Sequence, residues 1–107
     1  MDSRTAVVAA AKAAPSRLFE MTAARAIELA RIRARWPGYS TPAAMQRLLD
    51  AMAAGPVLVI EAERHLGIRN PPDIVLRLRR DCGVEIESER VTYVDEDGNR
   101  RRSVIYS

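Results

Sequence analysis

The chain has 107 residues, 48% of them hydrophobic but only 5% aromatic, and its formal net charge is +3. That length fits one domain with a small core of mainly aliphatic side chains. No apolar run is long enough to span a bilayer, and a single cysteine, Cys82, excludes an intramolecular disulfide. Because Lys12 interrupts a weakly apolar start, no signal peptide is predicted and we expect a cytoplasmic protein.

The first 40 residues are predicted to be an extension that contains one helix, of about 16–36, and a linker. Ser16 can cap this helix, and "PGYSTP" (37–42) ends it. At helical spacing the helix has one narrow apolar face, which Arg25 interrupts. The apolar members of that face are Leu18, Met21, Leu29, Ile32 and Trp36.

Two further helices are predicted between the linker and Gly67. Thr41 followed by proline is a typical helix start, with the threonine as N-cap. "GPVLV" (55–59) ends that helix with glycine and proline, and its apolar residues are typical of a brief strand. The second helix follows over about 59–66, and Gly67 permits a left-handed turn after it.

A third helix is predicted over about 71–82, between Asn70 as its N-cap and Gly83, which ends it. The side predicted to be buried carries Ile74, Val75, Leu78 and Cys82. The opposite side carries Asp73, Arg77 and Arg80, with Leu76 at its edge. The unsatisfied N–H groups of the first turn are expected to suit a phosphate.

A β-hairpin is predicted to complete the chain. "VEIESERVTYV" (84–94) alternates between apolar and charged residues, as a half-buried strand does. "DEDGN" (95–99) contains Asp-Gly, which is typical of a hairpin turn. "RRRSVIYS" (100–107) is the return strand.

Charges of opposite sign are segregated along this part of the chain. Residues 64–80 contain five arginines and one aspartate, whereas residues 81–97 contain one arginine and seven acids. Three consecutive arginines follow at 100–102. Separated basic patches indicate an anionic partner more strongly than a modest net charge does.

The predicted element order from residue 41 is that of a winged helix-turn-helix: helix, short strand, helix, turn, helix and hairpin. The stretch 42–107 resembles a family of small winged helix-turn-helix proteins of phages and prophages. The matching features are a Leu-rich first helix, "AERHLGI" in the second, "LRR" in the third and "GVEIE" before the hairpin. The resemblance implies a mainly α fold with a small β-hairpin (α+β), in which residues 41–107 form a winged helix-turn-helix domain and an N-terminal helix is added.

The resemblance implies duplex DNA binding by a transcriptional regulator or an accessory of DNA metabolism, in a bacterial cell or a phage-infected host. The third helix would read the major groove, and the hairpin, as the wing, would contact phosphates or the minor groove. The implied contact residues are Arg69, Asn70, Asp73, Arg77, Arg80, Asn99, Arg100, Arg101 and Arg102. One departure from the family is Leu58 or Val59 where a Ser or Thr usually caps the second helix.

Structural roles are alternatives for several of these residues. Asp73 and Arg77 have the spacing of a helix ion pair, and the arginines at 100–102 could neutralise the acids at 95–97. Arg79 could lay its stem over apolar neighbours. The N-terminal helix could pack on the rest of the chain, form a homodimer, or lie along DNA as a basic arm.

A protein-interaction module on the same fold is the alternative function. It would use Leu76 and the acidic strand residues Glu85, Glu87 and Glu89. His65 and Cys82 are the only histidine and cysteine, so no metal site is predicted. The sequence contains no catalytic motif, and we expect neither an enzyme nor a cofactor or small-molecule substrate.

Overall fold

The computed structural model describes residues 18–107, which form an α+β fold of four helices and one four-stranded, curled mixed sheet. In chain order the elements are β1 (Leu18–Glu20), α1 (Ala23–Arg35), α2 (Thr41–Ala54), β2 (Val57–Leu58), α3 (Val59–Arg64), α4 (Pro71–Cys82), β3 (Ser88–Val94) and β4 (Arg100–Tyr106). The predicted α+β class is therefore confirmed. Ser16, predicted to cap the first helix, lies outside the described residues.

The sheet is built around the predicted hairpin. Its strand order is β1-β3-β4-β2, with β3 and β2 antiparallel to β4 and β1 parallel to β3. Gly98 lies in the hairpin turn with φ of 83°, a conformation that favours glycine. The predicted strand start at residue 84 is wrong, since β3 begins at Ser88. Residues 84–87 instead form a segment between α4 and β3. Arg79 Nε donates to the Ile86 carbonyl over 3.2 Å and holds this segment against α4.

The prediction of one helix over 16–36 is also wrong. Residues Leu18–Glu20 form β1, and α1 begins at Ala23, where Thr22 Oγ1 accepts a hydrogen bond from the Arg25 N–H over 3.1 Å. The backbone of β1 pairs with the outer edge of β3. Helical periodicity within residues 16–36 cannot predict this pairing, because it depends on a strand far along the chain. Phe19 of β1 packs in a small cluster on one side of the sheet. The members are Phe19, Met21, Leu58, Ile60, Val91, Tyr93 and Ile105.

The main core lies between the helices and the other side of the sheet. Its fully buried side chains include Leu29 of α1, Leu48 of α2 and Leu78 of α4, and Tyr106 of β4 joins them. Packing of α1 on the rest of the chain, one of the three alternatives, is therefore observed. A homodimer through α1 stays a prediction; Ile27 is an exposed apolar side chain on this helix.

Three residues differ from their predicted placement. Trp36 leaves the apolar face because it ends α1, and its Nε1 donates to Asp50 Oδ2 over 2.7 Å. Ser40 rather than Thr41 is the N-cap of α2, and its Oγ accepts from the Ala43 N–H. Cys82 is exposed, because it lies in the last turn of α4, beyond the core.

Two arginines join the helices through backbone carbonyls. Arg25 Nη2 donates to the carbonyls of Ala51, Gly55 and Pro56, each over 3.1 Å. These carbonyls are at or just after the end of α2, where the helix leaves acceptors without partners. Arg25 thus caps α2 from α1.

Arg47, only 3% exposed, fixes the linker between α1 and α2. Its guanidinium donates to the carbonyls of Trp36 over 2.6 Å, Leu66 over 3.2 Å and Gly38. One buried side chain therefore ties the linker to the turn that follows α3.

Glu61 replaces the missing cap of α3. Its Oε1 accepts a hydrogen bond from the Leu58 N–H over 3.0 Å, as the acid of a capping box does. Glu61 is buried, and burial raises the pKa of its carboxyl, although the Leu58 hydrogen bond and nearby Arg25 act in the opposite direction. The departure from the family pattern at Leu58 is thus compensated three residues later.

We expect the stability of the protein, relative to a Glu61→Gln variant, to fall as pH rises through the folded-state pKa of Glu61. A raised folded-state pKa favours folding while the carboxyl is protonated, and this contribution is lost at higher pH. Glutamine keeps the acceptor for Leu58 and does not titrate. Urea unfolding of both proteins between about pH 4 and 8 measures the difference. A difference that does not change with pH would contradict the prediction. Glu61→Ala, which also removes the acceptor for Leu58, should cost about 1 kcal/mol at the acid end of this range.

Candidate nucleic-acid interface

The exposed side of α4 carries the predicted reading residues. Arg77 Nε lies 3.0 Å from Asp73 Oδ2, so the helix ion pair is observed. Both side chains remain nearly half exposed, and the contact of Arg77 with Asp73 uses Nε, not either Nη group. Arg80 is more exposed, and its Nε lies 4.0 Å from Asp81 Oδ1. Leu76 is exposed on the same side of the helix.

The turn before α4 presents side-chain donors rather than backbone ones. Arg69 and Asn70 are exposed, and the Asn70 side chain makes no capping hydrogen bond. Pro71 and Pro72 have no N–H group, and the Asp73 N–H donates to the Asn70 carbonyl over 3.1 Å. The expectation that this helix end offers free N–H groups to a phosphate is therefore wrong.

The hairpin separates its three consecutive arginines by face. Arg100, Arg101 and Arg102 are opposite Val94, Tyr93 and Thr92 in the β3–β4 ladder. Successive side chains of a strand point to opposite faces. Arg101 therefore lies on the face of Tyr93 and the small cluster, whereas Arg100 and Arg102 lie on the other face.

The face of Arg100 and Arg102 is the one that turns toward the main core further along β4. Val104 and Tyr106 continue this face of β4, and both pack in the main core with Leu78 of α4. Arg100 and Arg102 thus project from the side of the sheet that faces the main core, to which α4 contributes Leu78.

Arg90 belongs to the same face, and the sequence analysis missed it. It lies opposite Val104, next to Thr92 on β3, and borders a groove of about 510 Å³ together with Arg102. The hairpin arginine face is defined here as Arg90, Arg100 and Arg102. Within residues 18–107 none of the three forms an ion pair. The Asp-Gly turn, read together with strand alternation, could have identified Arg90 from the sequence.

Arg101 has a structural role in the turn. Its Nε lies 2.7 Å from Asp95 Oδ2, while Asp95 Oδ1 accepts from the N–H groups of Asp97 and Asn99. The hydrogen bond from Arg101 is the main reason that the pKa of Asp95 is lowered. Of the three consecutive arginines, Arg101 therefore neutralises an acid of the turn, as the structural alternative expected. The Asn99 side chain remains exposed at the turn.

Two acids of the hairpin, Glu89 and Glu96, are directed away from the hairpin arginine face or lie near basic side chains elsewhere. Glu89 is opposite Ile105 and points to the face of the small cluster. Glu96 in the turn lies 3.6 Å from Arg64 Nη1 and 4.0 Å from His65 Nε2. Repulsion between these acids and an anion on the α4 side is thereby reduced.

Residues 18–107 were compared with the requirements of a metal site and of a membrane-spanning helix. It contains no group of three His, Cys, Asp or Glu side chains placed to bind a metal ion. None of its helices combines the length and the apolar character needed to cross a membrane. Comparison of the chain with protein-family models, with curated proteins and with solved structures finds no match.

We expect Arg101→Ala to raise the pKa of Asp95 toward that of an ordinary aspartate, because the variant lacks the hydrogen bond that lowers it most. A lowered folded-state pKa stabilises the protein above the unfolded-state pKa, and this contribution is lost as pH falls. The stability of the variant should therefore depend less on acid pH. Carboxyl-carbon NMR titration measures the pKa directly. Arg102→Ala, on the opposite face, is the control, and an unchanged Asp95 pKa in Arg101→Ala would contradict the prediction.

Proposed function

We propose that the protein binds duplex DNA as a winged helix-turn-helix regulator or DNA-metabolism accessory of phage or prophage type. The element order from α2 to β4, with β2 joined to β4, supports this proposal. The observation that carries it is the placement of α4 and the hairpin arginine face on one side of the sheet. An α-helix fits the major groove, and a flanking hairpin can then follow the backbone.

In this proposal the exposed side of α4 reads base edges. Arg77 is oriented by Asp73 through Nε, so its two outer nitrogens are free to donate to O6 and N7 of guanine. Arg80 is available for a second base or a phosphate. Asn70, whose side chain does not cap the helix, has the donor and acceptor that adenine requires. Leu76 can contact a thymine methyl group.

The hairpin arginine face supplies affinity that does not depend on sequence. Arg90, Arg100 and Arg102 lack carboxylate partners within the described residues, so binding a phosphate breaks no ion pair. Phosphate contacts release condensed counterions and make affinity fall steeply with salt. Arg101 is assigned to the turn instead, because Asp95 already binds it.

The alternative of a protein-interaction module is less well supported by the geometry. It requires Leu76 and the acidic strand residues to form one contact surface. Leu76 lies on the exposed side of α4, whereas Glu89 points to the opposite face of the sheet. A surface that joined Leu76 to Glu89 would have to wrap around the sheet edge, whereas Glu85 and Glu87 lie before β3 in the segment that Arg79 holds against α4.

Fluorescence anisotropy with random duplex DNA at several salt concentrations tests the proposal. We expect binding that weakens with salt and a loss of roughly tenfold or more in the double variant Arg77→Ala, Arg80→Ala. The control Arg31→Ala, Arg35→Ala removes the same charge from the exposed surface of α1. Absence of binding by wild type at low salt, or equal losses in both double variants, would refute the role of α4.

A second comparison tests the hairpin. Arg90→Ala and Arg102→Ala should each weaken binding to all sequences alike and lower the slope of log affinity against log salt by about 1. Arg101→Ala should change that slope less, because its guanidinium is bound to Asp95 on the other face. Equal salt slopes in the three variants would contradict the assignment of faces.

A further inference from the structure

A groove of about 420 Å³ lies between the linker that joins α1 to α2 and the turn that precedes α4. It is called the linker groove here, and Tyr39, Arg47 and Arg69 border it. We propose that the linker groove holds a backbone phosphate of the duplex, contacted by Tyr39, Arg69 and Arg33. The inference rests on the proposed function and extends it to α1 and the linker, which lie outside the family resemblance.

Tyr39 is an exposed aromatic residue on an anchored segment. Its side chain is 90% exposed, yet the carbonyls of Trp36 and Gly38 before it are held by Arg47. The Tyr39 ring therefore projects into solvent from a backbone position that is fixed. Tyrosine hydroxyls commonly donate to phosphate oxygens in protein–DNA complexes.

The charge around the groove is positive and incompletely compensated. Arg47 is buried and bonds only to carbonyls, and no ion pair joins it to an acid among residues 18–107. Burial, and then the nearby positive charge of Arg33, lower the pKa of Arg47. Buried cations are ordinarily paired with an anion. A phosphate in the groove that Arg47 borders would supply one.

Arg33 lies against Gly67, which borders the linker groove, and itself borders a neighbouring groove together with Tyr39 and Arg47. Gly67 has φ of 64°, and a Cβ at this position would lie 2.7 Å from Arg33 Cζ. The guanidinium of Arg33 thus rests against a backbone that only glycine leaves open. Within the described residues neither Arg33 nor Arg69 forms an ion pair, and Asp73, the acid at the groove, already binds Arg77.

The position of the groove suits a phosphate next to the major groove. Arg69 and Asn70 border it and immediately precede α4. When a helix enters the major groove by its N-terminal end, the phosphates of the adjacent strand pass close to that end. Since Pro71 and Pro72 lack N–H groups, the side chains of the groove replace the usual backbone donors.

Anisotropy titrations of the full chain with the same random duplex test the inference. Arg33→Ala should weaken binding about fivefold and lower the salt slope by about 1. Tyr39→Ala and Tyr39→Phe should weaken binding to a similar extent without changing the slope, because both remove the hydroxyl and no charge. Arg31→Ala, an exposed arginine two positions before Arg33 on α1, is the matched control and should have a smaller effect.

The outcomes separate this inference from the proposed function. If wild type binds and the α4 double variant is weaker, but the Tyr39 and Arg33 variants match Arg31→Ala, the linker groove does not hold a phosphate while the function stands. If wild type does not bind, both are refuted. Circular dichroism checks that each variant is folded. If Arg33→Ala does not fold, the test relies on the Tyr39 variants, whose side chain is exposed. Unchanged DNA binding by Tyr39→Ala would then overturn the inference.

Discussion

Hydrogen bonds from arginine side chains to backbone carbonyls hold this small fold together. Arg25 caps α2 from α1, Arg47 fixes the linker to the turn after α3, and Arg79 attaches the start of the hairpin to α4. A carbonyl removed from water without a partner would cost about 1–3 kcal/mol. In a chain with few aromatic residues, these bonds add connections between elements that already share the main core.

The same interaction divides the arginines into two groups. Those bonded to carbonyls or to the turn, such as Arg47 and Arg101, have their donors directed inward and organise the backbone. Those without such partners, such as Arg69 and Arg102, lie around α4 and the side of the hairpin that faces the same way. The arginines without such partners are therefore the ones whose guanidinium groups are available to an anion.

Local patterns in the sequence predicted α2, β2, α3, α4 and the hairpin, since periodicity, Asp-Gly and the glycine and proline at helix ends are short-range signals. β1 was not predictable in this way, because "LFE" becomes a strand only when β3 is present beside it. Arg25 was interpreted as an interruption of an apolar face, although its length lets it reach the end of α2. The different roles of Arg101 and Arg102 depend on strand register, which composition does not contain.

The parallel pairing of β1 with β3 has a consequence for the order of folding. Leu18 pairs with Thr92, so the first described strand meets its partner only across most of the chain. Closing such a long loop costs entropy before any contact is gained, and contacts of this kind form slowly. During synthesis the segment around Phe19 therefore leaves the ribosome long before its place in the sheet exists. Among residues 18–107 the only strand that β1 pairs with is β3, so β1 can join the sheet only once β3 has been made.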